Sequence, residues 1–161
     1  MSWWSGFKKF KLTDHGGKYL VLIFWPWDFS PVSTTEIVQY STKASEFRKL
    51  NCQLIGVSCD SHFSHREWSQ RQRSKGGLGD LDFPLVADLD HSIAKKYGCY
   101  IEGDDDEEAG VALRATYIID DKGVVRHISI GDLTVGRSPA ETLRLVSAFK
   151  HHDKFGELCP A

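Results

Sequence analysis

The sequence predicts an α/β domain with a central mixed β-sheet flanked by helices, and three observations predict it. Strand-sized apolar runs alternate with helix-period segments from residue 18 to residue 97. Two further strand-like runs then follow each other across the turn Asp120-Asp121-Lys122-Gly123. A helical stripe closes the chain. At 161 residues, the size expected is one domain over 1–161, enough to bury a proper core.

Each element has its own signal. A short strand at 7–12 leads through Asp14-His15-Gly16-Gly17 into the apolar strand 18–25. Ile37, Tyr40, Ala44 and Phe47 recur at helical spacing and predict a helix over 34–49, followed by a strand at 53–58. A second helix covers 63–74 and stops at Gly76-Gly77-Leu78-Gly79. Phe83-Pro84-Leu85-Val86-Ala87 reads as a strand and Ile93-Ala94-Lys95-Lys96-Tyr97 as a short helix, before the acidic loop 104–108. Strands at 114–119 and 124–130 form the hairpin, and Ala140, Leu143, Val146 and Phe149 mark one stripe of a last helix at 138–150. A βαβ unit, a further βα segment, a hairpin and a closing helix is the order of a thioredoxin-like fold. In such open sheets, chemistry gathers at the carboxyl ends of strands, where the loop Pro26–Glu36 lies.

Composition narrows the function. A formal charge of −2 predicts no general affinity for nucleic acid or for anionic membranes. The longest apolar run, Tyr19-Leu20-Val21-Leu22-Ile23-Phe24-Trp25, is strand-sized rather than membrane-spanning. Met1-Ser2-Trp3-Trp4 lacks the basic and apolar regions of a secretory signal, so a cytoplasmic location is expected. Four cysteines are few for a secreted disulfide scaffold. Cys52 and Cys59 flank an apolar run and read as small hydrophobes, and Cys99 follows a glycine with no evident partner. Cys159, in the polar terminal arm 151–161, is the thiol most free to exchange.

Ser33-Thr34-Thr35-Glu36 taken alone is a capping box that starts a helix. His62 and His65, or His151 and His152, have no carboxylate or cysteine set to complete a zinc site, and the acidic loop lacks the ligand spacing of a calcium loop. No metal or cofactor is expected. The absence of Cys-x-x-Cys argues against a thioredoxin-type oxidoreductase.

The capping box leaves the upstream residues unexplained. Read as Pro26-x-x-x-Ser30-x-x-Ser33, the loop resembles the active-site loop of the peroxiredoxins, Pro-x-x-x-Thr/Ser-x-x-Cys. Asp60-Ser61-His62-Phe63, Gly76-Gly77-Leu78-Gly79, Gly136-Arg137-Ser138 and Glu157-Leu158-Cys159-Pro160 match the two-cysteine class of that family in order and spacing. The resemblance implies a thiol peroxidase acting on hydrogen peroxide and organic hydroperoxides, with position 33 as the peroxidatic site. It implies that Ser30 bonds the peroxide oxygen, that Pro26 shields the site, and that Arg114 lowers the pKa of the attacking group. Glu36 and Arg137 would pair to fix the arginine network, although singly each reads as a solvated charge. Trp68 would pack under the site, or serve simply as a core aromatic. Cys159 would resolve the sulfenic acid across a homodimer whose edge is the strand 124–130, and such dimers form rings, among them decamers. Thioredoxin or a similar dithiol protein would be the reductant.

Ser33 is the departure. A serine cannot form a sulfenic acid, so the chain as written is expected to be inactive. The intact motif around it reads as an engineered cysteine-to-serine change. The alternative is a natural non-catalytic oligomer acting as a holdase or scaffold.

Overall fold

In a computed structural model the described residues are 7–103 and 108–160. The N-terminal Met1-Ser2-Trp3-Trp4 and most of the acidic loop, residues 104–107, lie outside them. The elements in chain order are β1 (Tyr19–Phe24), α1 (Pro31–Lys49), β2 (Cys52–Ser58), α2 (His62–Gln70), β3 (Leu85–Ala87), α3 (Ser92–Lys96), β4 (Arg114–Ile119), β5 (Val125–Gly131) and α4 (Pro139–Phe155). Five strands form one mixed sheet in the order β3-β2-β1-β4-β5. β1 pairs parallel with β2 and antiparallel with β4, and β4 and β5 form the hairpin. This is the thioredoxin-like arrangement the element order implied.

All six residues of β1 are buried, because β1 is the central strand and is covered on both faces. Successive side chains on a strand point to opposite faces, so β1 feeds two cores. Tyr19, Val21, Ile23 and the following Trp25 pack with Ile37, Tyr40, Ala44 and Phe47 of α1, Trp68 of α2 and Val146 of α4. Leu20, Leu22 and Phe24 pack with Ile55, Ala94, Cys99 and Tyr117 on the other side. Outermost, β5 leaves Val125, Ile128 and Ile130 exposed.

Four element expectations shift. Residues 7–11 form no strand, and a 3₁₀ turn follows at Leu12–His15. Lys8 and Lys9 interrupt any alternation, and Phe10 instead packs beside the second core and stacks on His15. α1 begins at Pro31, three residues earlier than the capping box suggested, because a proline at the first helical position has the required φ and loses no needed N–H. α2 stops at Gln70, and a 3₁₀ turn at Arg73–Lys75 carries the chain to Gly76 in the left-handed conformation. α4 runs on to Phe155, where Gly156 closes it with φ 71°. Its inward face is Pro139, Thr142 and Val146, with Leu143 and Phe149 partly covered, while Ala140 is exposed.

The turn after α2 is built around one glycine. A Cβ on Gly77 would lie 2.1 Å from the Arg71 carbonyl oxygen, and backbone cannot move aside as a side chain can. Gly77→Ala is expected to lower stability by about 1–3 kcal/mol in urea unfolding, a typical cost of overpacking.

Candidate active site

The loop that leaves β1 becomes the first turn of α1, and Ser30, not Ser33, is its N-cap. The Ser30 Oγ accepts from Ser33 N at 3.3 Å, and Thr34 N donates to the Ser30 carbonyl at 2.9 Å. Ser33 is therefore already inside the helix, and it is fully buried. Glu36 closes no capping box. Its carboxylate turns inward to two arginines from elsewhere in the chain.

Two donors converge on the Ser33 hydroxyl oxygen. Ser30 Oγ donates to it at 2.7 Å and Arg114 Nη1 at 3.1 Å. Arg114, at the start of β4 and 2 % exposed, also donates to Glu36 Oε2 at 2.7 Å and, through Nε, to the Leu133 carbonyl at 2.7 Å. Arg137 holds the other side of the same carboxylate. Its backbone N and Nε donate to Glu36 Oε1 at 2.6 and 2.9 Å, and its Nη2 donates to Oε2 at 3.1 Å. The Arg137 Nη1 reaches the Ala115 carbonyl at 2.7 Å. Burial alone would raise the Glu36 carboxyl, but hydrogen bonds and charge from Arg137, reinforced by Arg114, hold it below the usual carboxylate range.

The expected Glu36–Arg137 pair is thus present, and Arg114 completes it. Pro26 is buried at the loop entrance. Trp68 is buried beneath the loop, its ring 5.9 Å from those of Trp25 and Phe29, and its Nε1 donates to the Gly76 carbonyl at 3.2 Å. Sequence reasoning missed a second buried group in the same loop. Asp28 accepts from Trp25 Nε1 and lies 2.8 Å from His65 Nδ1. Thirty-seven residues separate Asp28 from His65, and a lone aspartate in a loop gives no local sign of such a partner.

Cys159 lies on the surface, its Sγ 3.5 Å from the Ala148 carbonyl on α4. All four cysteines are free. Burial pushes the Cys52, Cys59 and Cys99 thiols up to about 12. Cys59 is only half-buried; it follows β2 rather than lying within it. In native protein one thiol, Cys159, should react with iodoacetamide within minutes at pH 7.5, and the other three should react only on unfolding. Peptide mass mapping checks this. Among the described residues, no group of three or more His, Cys, Asp or Glu side chains could hold a metal ion, and no helix is long and apolar enough to cross a membrane.

Comparison with known proteins gives one answer throughout. Residues 5–128 match the AhpC/TSA family. The chain is 53 % identical over 155 residues to a peroxiredoxin of Cynops pyrrhogaster, covering 96 % of this chain and 75 % of that one. It is 52 % identical to peroxiredoxin 2 of Drosophila melanogaster, covering 96 % and 77 % respectively. Among solved structures, the reduced 2-Cys peroxiredoxin of Plasmodium vivax superposes with a TM-score of 0.86 at 37 % identity, covering 93 % of this chain and 75 % of that one. AhpC of Enterococcus faecalis superposes with a TM-score of 0.81 at 30 % identity, covering 92 % and 84 %.

Proposed function

This chain belongs to the AhpC/TSA family, the peroxiredoxins, and from that premise we propose that its scaffold is built for thiol-dependent reduction of hydrogen peroxide and organic hydroperoxides, with position 33 as the reacting position. One observation carries the reading. The side-chain oxygen at 33 receives a hydroxyl donor and a buried guanidinium donor at the N-terminal turn of a helix. Donors aimed at one atom stabilise negative charge there, and so does the helix dipole.

With a cysteine at 33 the chemistry would run in three balanced steps. The thiolate attacks the peroxide O–O bond, forming a sulfenic acid, and the leaving oxygen takes a proton and departs as water or alcohol. The Cys159 thiol of a second subunit then condenses with the sulfenic acid, releasing water and forming a disulfide. A dithiol protein such as thioredoxin reduces that disulfide by exchange. Pro26 shields the pocket, Ser30 and Arg114 orient the peroxide, and Glu36 and Arg137 hold Arg114 in place. Ser33 halts this sequence at its first step, which supports reading the chain as a disabled peroxidase.

Homodimerisation through β5 belongs to this proposal, supported by the exposed Val125, Ile128 and Ile130 on the outermost strand. Assembly of dimers into a ring is supported by Trp27 and Phe29, which are exposed aromatics on the site loop. A cytosolic location belongs to the proposal as well, since four cysteines are few for a secreted disulfide scaffold. A non-catalytic holdase or scaffold is the second reading. It is favoured by the Ser33 hydroxyl oxygen, which accepts from both Ser30 and Arg114 without any thiol. Peroxide turnover by a Ser33→Cys variant separates the two.

A further inference from the structure

The loop that carries Ser30 is fastened from below. Asp28, 8 % exposed, sits two residues ahead of Ser30 and gathers donors from several elements. Trp25 Nε1 donates to its Oδ1 at 3.0 Å, Ser64 Oγ donates to its Oδ2 at 2.7 Å, and His65 Nδ1 lies 2.8 Å from Oδ2. The Asp28 backbone N donates to Asp60 Oδ2 at 3.0 Å, an oxygen that Ser58 Oγ also holds at 2.8 Å. The far side of the His65 ring is anchored too, with Nε2 3.2 Å from the Val86 carbonyl on β3. The site loop is therefore bolted to the ends of β1 and β2, to α2 and, through His65, to β3.

The next residue shows that the fastening is under tension. Phe29 has φ 60°, a left-handed conformation that costs a non-glycine residue about 1–2 kcal/mol. The anchors at Asp28 on one side and the Ser30 cap on the other hold it there. Because Ser30 Oγ is one of the two donors at position 33, a shift in Asp28 is transmitted through Phe29 to the reacting position.

We propose that Asp28 and His65 are positioning residues for the reaction assigned to this site, setting the Ser30 hydroxyl through the loop without touching the peroxide. The inference rests on the peroxidase reading, and a pair of substitutions separates positioning from mere packing. An asparagine side chain places its amide N–H where His65 has Nδ1, keeping the contact to Asp28 and losing the one to Val86. Glutamine instead reaches the Nε2 position and releases Asp28.

In the Ser33→Cys background, His65→Gln should lower the second-order rate constant for hydrogen peroxide by about 10- to 100-fold, the scale of a misplacement near 1 Å. His65→Asn should stay within about two-fold of the parent. Ser64→Ala, which removes one donor from the same Asp28 oxygen, is a milder variant expected to cost about two- to five-fold. In the unaltered Ser33 protein, amide exchange at Ser33 and Thr34 should quicken about ten-fold in His65→Gln and not in His65→Asn. Equal effects of the two histidine substitutions, or no effect of either, would overturn the proposal. If the Ser33→Cys parent fails to turn over peroxide, the peroxidase reading falls, and the exchange measurement still decides whether His65 positions the loop.

Discussion

Replacing Ser33 with cysteine should raise hydrogen peroxide consumption to at least about three orders of magnitude above that of the unaltered protein. The reasoning is local. An ordinary thiol is only a few per cent thiolate at neutral pH, and the thiolate is the nucleophile. At position 33 the sulfur would inherit the Ser30 and Arg114 donors that now meet the serine oxygen at 2.7 and 3.1 Å. Those contacts favour the anion, so the introduced thiol should titrate well below the usual cysteine value. Stopped-flow consumption of peroxide with a dithiol reductant measures the gain, and the pH profile of alkylation measures the titration. Silence in a variant shown to be folded would transfer the case to the non-catalytic oligomer.

The second large effect is on stability. Glu36→Ala should destabilise the fold by about 3–5 kcal/mol, the usual cost of removing one partner from a buried charge network. Here the loss would strand two guanidinium groups, Arg114 and Arg137, that share one carboxylate. For a domain with a typical margin of about 5–15 kcal/mol, that is a major fraction. Arg144→Ala is the control, because its pair with Glu141 is exposed on both sides and its loss should leave the urea midpoint essentially unchanged. The pH dependence has a definite sign. The folded-state value of Glu36 is depressed, so its contribution is fully present above the unfolded glutamate value of about 4.3. It is lost as pH falls through the depressed value. Urea midpoints between pH 7 and pH 2 should therefore fall less steeply in Glu36→Ala than in the parent.

How much of this could be read from the sequence depended on the range of each interaction. The β1 run and the Ile37-Tyr40-Ala44-Phe47 stripe were legible because periodicity is a local property, and all those residues are buried. The start of α1 was misplaced because Ser30 and Ser33 are both good caps, and only the proline at 31 decides between them. Position 33, Arg114 and Glu36 came from motif resemblance; no local signal joins residues 78 and 101 positions apart, the separations of Glu36 from Arg114 and Arg137. The Asp28–His65 contact was illegible for the same reason, with no motif to supply it. The strand expected at 7–12 failed because Phe10 alone turns to the second core while Leu12 stays exposed, which is not the alternation a paired strand needs.

The short stretch after β5 gives the site a mechanical address. Leu133 supplies the carbonyl that holds Arg114, and Arg137 supplies both a backbone and a side-chain grip on Glu36. Both lie within six residues of Gly131, the last residue of the edge strand β5. The rim of the sheet and the buried Ser33–Glu36 site are thus joined by a short stretch of chain, with two arginines as rivets. A second subunit pressed against that rim would stiffen the rivets, and a subunit standing alone would leave them on a free edge. In the proposed dimer, contact at β5 and the hold on Arg114 would share that one short linkage.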